Sequence, residues 1–267
     1  MEAKHLVTAG VLATLLASEA LAPAFVEQRR SWRQLVRHDA RNLLVGALNA
    51  FCFSSLFATA LLVAEYQVSM RGYGLLFLLD LPDWWRLVVG LLLFDLWMYW
   101  WHRLNHALPF LWRLHRMHHS DPAMDASSAV RFHPGEIFLS GVARLIVLPI
   151  IGMPLMLLLA YEAVLLPVIL FHHANIRLPR WLDFGLFRAG LLVTPAMHRV
   201  HHSRERDETN SNYGSVLPVW DRLFGSLRVR HDVENIDFGL PGFADSESQT
   251  LVGMLRTPLA QEEAGDT

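Results

Sequence analysis

The stretch HRMHHS occupies residues 115 to 120, and HRVHHS occupies residues 198 to 203, so five of six positions repeat and every histidine is kept. Fourteen histidines are present, most of them in these two triplets, in HRLNH at 102–106 and in FHHAN at 171–175. Residues three and four apart share a helix face. His102 and His106 can therefore meet, and His115, His118 and His119 can point to one spot, as can His198, His201 and His202. Neutral imidazole is the commonest metal ligand in proteins. These stretches hold more ligands than one ion can use and enough for two.

The pattern also excludes chemistries. There is no HExxH, which removes the zinc-peptidase arrangement with its general-base glutamate. The one ExxH, Glu2 to His5, stands far from the histidine stretches, and the carboxylate-bridged di-iron bundle needs two, so it does not fit. The single cysteine, Cys52, lies in an apolar block and rules out an intrachain disulfide and any cysteine-based site. An all-nitrogen donor set favours iron if the chemistry is oxidation, although zinc is compatible with the same ligands. His5, His38 and His231 stand alone and read as interfacial or hydrogen-bonded residues.

The elements that must position these rings are apolar. Of 267 residues 53% are hydrophobic and 18% charged, with a net charge of −2 that gives no footprint for nucleic acid. Apolar residues gather in blocks near the roughly 20 residues a membrane helix needs. They run at 6–25, 43–64 and 87–101, the last starting near Trp85 with Trp84 and Trp85 as interfacial anchors, and then at 137–171. The last block is too long for one helix and reads as a hairpin turning at Gly152 and Pro154. Expected is an all-α, multi-span membrane protein with a histidine-lined di-metal cap on the cytosolic side. Arg29, Arg30, Arg33, Arg37 and Arg41 crowd the first loop, whereas Arg71 and Arg86 alone mark the second. Positive loops stay inside, which puts the N-terminus outside and every histidine cluster in the cytoplasm.

HRLNH, HRMHHS, RFHPGE, FHHANIRLP and HRVHHS, followed by NYGSVLPVWDRLFGSL, resemble the fatty acid hydroxylase and sterol desaturase superfamily of integral-membrane di-iron oxygenases. The resemblance covers about residues 85–230. It implies a catalytic domain over 85–235, preceded by membrane helices in 1–84 and followed by a peripheral, partly disordered tail in 236–267. It implies two iron ions, dioxygen as co-substrate, a lipid substrate that is hydroxylated or desaturated, and electrons from a separate cytochrome, ferredoxin or flavin reductase. Carried over position by position, the ligands are His102, His106, His115, His118, His119, His173, His198, His201 and His202. His133 is the expected tenth ligand or a partner to one, and His172 a neighbour of His173. Asn175 falls on the family's F-x-H-x-N pattern.

Around the ligands, Asp95 precedes His102 by seven residues, on the same helix face, and is expected to orient a ligand imidazole. Asp121, Asp125 and Asp221 are candidates for the same task or for loop capping. Glu162, inside the hairpin, either faces a substrate tunnel or meets a neighbouring helix. The competing class is a non-catalytic or transport protein that holds cations. Transporters place polar groups at the bilayer midplane, whereas these histidines sit at span ends, which favours the enzyme.

Overall fold

Ser31 and Gln34 form a capping box, each side chain meeting the other's backbone N–H, and start a helix that runs unbroken from Trp32 to Arg71. The computed structural model describes residues 2–25 and 31–260. Its long helices are α1 (Glu2–Leu21), α2 (Trp32–Arg71), α4 (Asp83–Ala107), α6 (Pro134–Ile151) and α7 (Leu155–His173). Shorter ones are α3 (Leu75–Leu78), α5 (Pro109–His119), α8 (Arg180–Arg188), α9 (Pro195–His201), α10 (Arg206–Thr209), α11 (Val219–Leu223) and α12 (Leu251–Arg256). The class is all-α. Among the described residues, three segments are long and apolar enough to cross a membrane: 32–78, α6 and α7. At 25 residues α4 is long enough but carries Asp83, Arg86, Asp95 and Arg103.

Two sequence expectations shift. The apolar part of α1 covers only Leu6–Leu21, about 24 Å of helix, short of the 30 Å of a bilayer core. The helix stops before Pro23, and the chain beyond it bonds to the end of α7: Ala24 N–H donates to the Asn175 carbonyl at 3.0 Å. The arginine-rich stretch expected as a loop is helix from Trp32 onward, because nothing after the Ser31 cap breaks it; Arg29 and Arg30 lie outside the described residues. At 40 residues, α2 rises about 60 Å, so its basic first turns stand beyond any bilayer core and pack on the histidine cap.

The α6–α7 hairpin turns where expected. Gly152 takes a left-handed φ of 77°, and Pro154 caps α7. The Gly74 backbone presses against this turn. Its φ is 106°, and an added Cβ would lie 2.4 Å from Gly152 Cα. Gly74→Ala is therefore expected to cost roughly 2 kcal/mol or more of stability, read as a lower melting temperature in detergent. Gly185→Ala, with open space around it, should melt like the wild type.

The C-terminal residues differ most from expectation. Met254 and Thr257 are buried. The buried Arg116 donates through Nη2 to the Thr257 and Ala260 carbonyls, both at 2.6 Å. Gln249 donates to the Ser120 carbonyl and receives Arg41 on its own carbonyl. Up to Ala260 the tail is thus a strap clamped across α5, the helix carrying the first histidine triplet; residues 261–267 lie outside the described residues.

Candidate metal centre

Nine histidines converge as two groups. His102, His106, His115, His119 and His201 form one, and His118, His173, His198 and His202 the other; within each, one ring nitrogen per residue lies within 4.8 Å of all the rest. The rings do not divide as the triplets suggest. In α5, His115 and His119 are one full turn apart and enter the first group, while His118 turns to the second. In α9 and its cap, His198 and His202 enter the second group and His201 crosses to the first. Each triplet is split two to one, in opposite senses, so α5 and α9 serve both groups. His119 stacks on His202 across the boundary with ring centres 4.4 Å apart.

The outward nitrogens show how the rings are held. His102 Nδ1 donates to the Tyr213 carbonyl (2.9 Å), His201 Nδ1 to the Ser211 carbonyl (2.7 Å), and His106 Nδ1 meets Asn210 Oδ1 (3.3 Å). Three ligands of one group are thus aimed by the four residues 210–213. Asn212 makes this possible by adopting φ 54°, a left-handed conformation that asparagine tolerates. Its side chain ties to the Met197 and Arg228 carbonyls and accepts from Arg228 N–H. Asp221 pins the same loop, accepting from Tyr213 N–H (2.7 Å), Gly214 N–H (2.8 Å) and Ser226 Oγ. His173 Nδ1 donates to the Ile169 carbonyl, and His115 Nδ1 meets Glu136 Oε1 at 2.9 Å with both residues buried.

With Nδ1 so engaged, Nε2 turns inward. The Nε2 atoms of His102, His106, His201 and His202 are buried without a protein partner. His118 and His198 each bring Nε2 within 3.2 Å of His173 Nε2. Buried polar atoms are rarely left unpaired, and an ion among the inward nitrogens would satisfy those that have no protein partner. An ion bound at about 2.1 Å per nitrogen holds opposite ligands about 4.2 Å apart, so each group fits one ion with closure of a few tenths of an ångström. Burial, then neighbouring imidazoles, hold His118, His119, His198, His201 and His202 well below the usual histidine range. They are neutral at physiological pH, the form that binds metal.

Several expected residues stand elsewhere. His133 caps α6, its Nδ1 accepting from Gly135 N–H and its Nε2 donating to the Leu255 carbonyl; both nitrogens are taken and it joins neither group. His172 lies 3.9 Å ring to ring from His198 without entering the convergent set. Asn175 accepts from Phe25 N–H and ties α7 to the end of α1. Asp121 accepts from His38 Nε2 (2.9 Å) and Ser128 Oγ (2.7 Å), bracing the α2–α5 corner. His38 also faces Asp125 and Asp39, a third small group whose ring is already ion-paired.

Asp95 is a clear correction. Helix periodicity places it two turns before His102, but its carboxylate points across to α7 and α11. It accepts from Tyr161 Oη (2.5 Å), Trp220 Nε1 (2.7 Å) and Leu217 N–H (3.3 Å). Asp95→Asn should lower stability by about 2 kcal/mol through the loss of charge-assisted bonds, while metal content per folded molecule stays at the wild-type level. Melting and metal analysis on one preparation check this. Glu136 is the carboxylate beside a ligand that sequence reasoning passed over; its signal was an acid opening an apolar helix just after RFHP.

A cavity of about 360 Å³ reaches both groups, touching His102 and His115 of one and His118, His173 and His198 of the other. Its walls are chiefly apolar, from Met98, Trp101, Ile137, Leu165 and Ile169, and it extends along α6 to Arg144. Arg144 pairs with Glu162 at 3.2 Å, so Glu162 bridges α7 to α6. The arrangement can hold metal at the rim of a slot shaped for an alkyl chain.

The sequence model of the fatty acid hydroxylase family matches residues 87–226, and the chain belongs to that family. An ornithine lipid hydroxylase of Rhizobium tropici is 32% identical over 60% of this chain and 48% of its own length. The human alkylglycerol monooxygenase is 28% identical over 70% of this chain and 40% of its own. Human cholesterol 25-hydroxylase is 27% identical over 54% and 50%. The chain thus spans half or less of these curated relatives. No solved structure matches it.

Proposed function

We propose that this protein is a membrane lipid oxygenase whose nine convergent histidines hold two iron ions. The observation that carries this is the opening of one apolar cavity onto two separate histidine groups with inward, unpartnered nitrogens. His102, His106, His115, His119 and His201 would hold one ion, and His118, His173, His198 and His202 the other. When bound, and with electrons from a separate donor, the two ions would supply activation of dioxygen for attack on an unactivated carbon. Zinc fits the same nitrogens but has no redox change to offer.

The chain's own residues do the rest. Glu136 and the 210–213 segment fix the tautomers of His115, His102, His106 and His201, so that these rings present Nε2 inward. Ile137, Leu165 and Ile169 exclude water and align the alkyl chain. The relatives act on ornithine lipids, alkylglycerols and cholesterol by name, which supports a lipid substrate here. A cation-holding transport role fits less well, because the cavity is apolar where an ion path would be polar. The basic turns of α2 share a side with the histidines, which supports a cytoplasmic cap.

Metal analysis of purified protein from iron-fed cells should give close to two iron ions per chain. One ion or none in protein that oxidises lipid would overturn the di-metal reading. A cysteine placed at Arg33 or Ser203 should be labelled only from the cytoplasmic side and one at Arg71 only from outside; the reverse pattern inverts the orientation.

A further inference from the structure

Three buried oxygens around the cavity have no protein partner: Asn49 Oδ1, Asn105 Oδ1 and Glu136 Oε2. The three residues are 5%, 1% and 4% exposed, and all line the same cavity. All three oxygens are acceptors. Asn49 spends its Nδ2 on the Phe132 carbonyl at 2.7 Å, which fixes its amide and leaves Oδ1 without a protein partner. Glu136 spends Oε1 on His115. An unpaired buried acceptor costs about 1–3 kcal/mol, so three on residues lining one chiefly apolar space ask for donors from whatever enters it.

Their positions along the cavity are not even. Asn105 lies on the turn of α4 that carries His102 and His106. Asn49 is bonded to Phe132, whose ring stacks on His118 at 4.4 Å. Glu136 touches His115. All three therefore cluster at the histidine end. Along α6, Glu136, Ser140 and Arg144 mark one face at four-residue intervals, so the cavity continues about 12 Å away from the histidines.

We infer that Asn49, Asn105 and Glu136 form a donor-recognition subsite, and that the substrate is a lipid whose hydroxyl or N–H lies within a few bonds of the carbon to be oxidised. Its alkyl remainder runs along α6. The subsite selects against lipids whose only donor sits at the far end of the molecule. This rests on the cavity being the substrate site of the proposed oxygenase, and its test is a binding measurement that needs no turnover.

The test uses metal-loaded full-length protein in nanodiscs and compares 1-hexadecanol with hexadecyl methyl ether in equilibrium competition. The two differ by one O–H donor on the same apolar bulk. Wild type should prefer the alcohol by at least about 10-fold, and Asn49→Leu and Asn105→Leu should each shrink that preference several-fold with metal content retained. Equal affinities, no measurable binding of the alcohol, or a preference that survives in both variants overturns the subsite. Failure of the oxygenase reading would look different: preference intact, with no oxidised lipid formed.

Discussion

His118→Ala should leave one metal ion per chain and no detectable lipid oxidation, and His201→Ala should lower metal content and abolish oxidation from the opposite group. Each removes an inward nitrogen from a closed set, His118 from four and His201 from five. The loss should exceed the 10- to 100-fold that follows removal of an outer partner. The asymmetry is informative. The four-histidine group has no spare ligand, so His118→Ala should empty it, whereas His201→Ala leaves four nitrogens and should retain part of its ion at high metal concentration. Metal titration of both variants distinguishes the groups. Identical retention would mean that they do not act as separate sites.

The second large effect concerns Glu136. Its carboxylate holds His115 Nδ1 at 2.9 Å, its other oxygen has no protein partner, and the residue lines the cavity. Glu136→Gln keeps the size but loses the charged acceptor, and should weaken metal affinity or turnover by roughly 10- to 100-fold. Glu136→Ala should cost more, because His115 Nδ1 is then buried without a partner. Metal affinity and turnover per folded molecule check both. Wild-type values in the Gln variant would remove Glu136 from the centre.

What the sequence carried and what it did not follow from range. Eight of the nine convergent histidines were legible because their spacing is local, i, i+3 and i+4 on helices, while His173 was read from the family's F-x-H-x-N pattern. Their partition into two groups was not, because it depends on how α5 and α9 face each other. Asp95 shows the same limit, since periodicity gave its helix face but not the Tyr161 and Trp220 that meet it from elsewhere in the chain. Asn212 and the 210–213 carbonyls carry no side-chain pattern at all, being backbone acceptors set by one left-handed residue. The strap at 237–260 read as peripheral because its sequence is polar; Arg116, an arginine in the middle of the first triplet, is what anchors it. The hairpin turn was legible because Gly152 and Pro154 act locally.

The most direct test of the central claim is lipid analysis under oxygen-18. Membranes holding the wild type and membranes holding a His118→Ala/His201→Ala double variant are incubated with ¹⁸O₂ and reductant, and all lipids are compared by mass. The account predicts a lipid, present only with the wild type, that either carries oxygen-18 in a new hydroxyl or has lost two hydrogens. Indistinguishable lipids from the two membranes, with the wild-type protein folded and holding both metal ions, would contradict it.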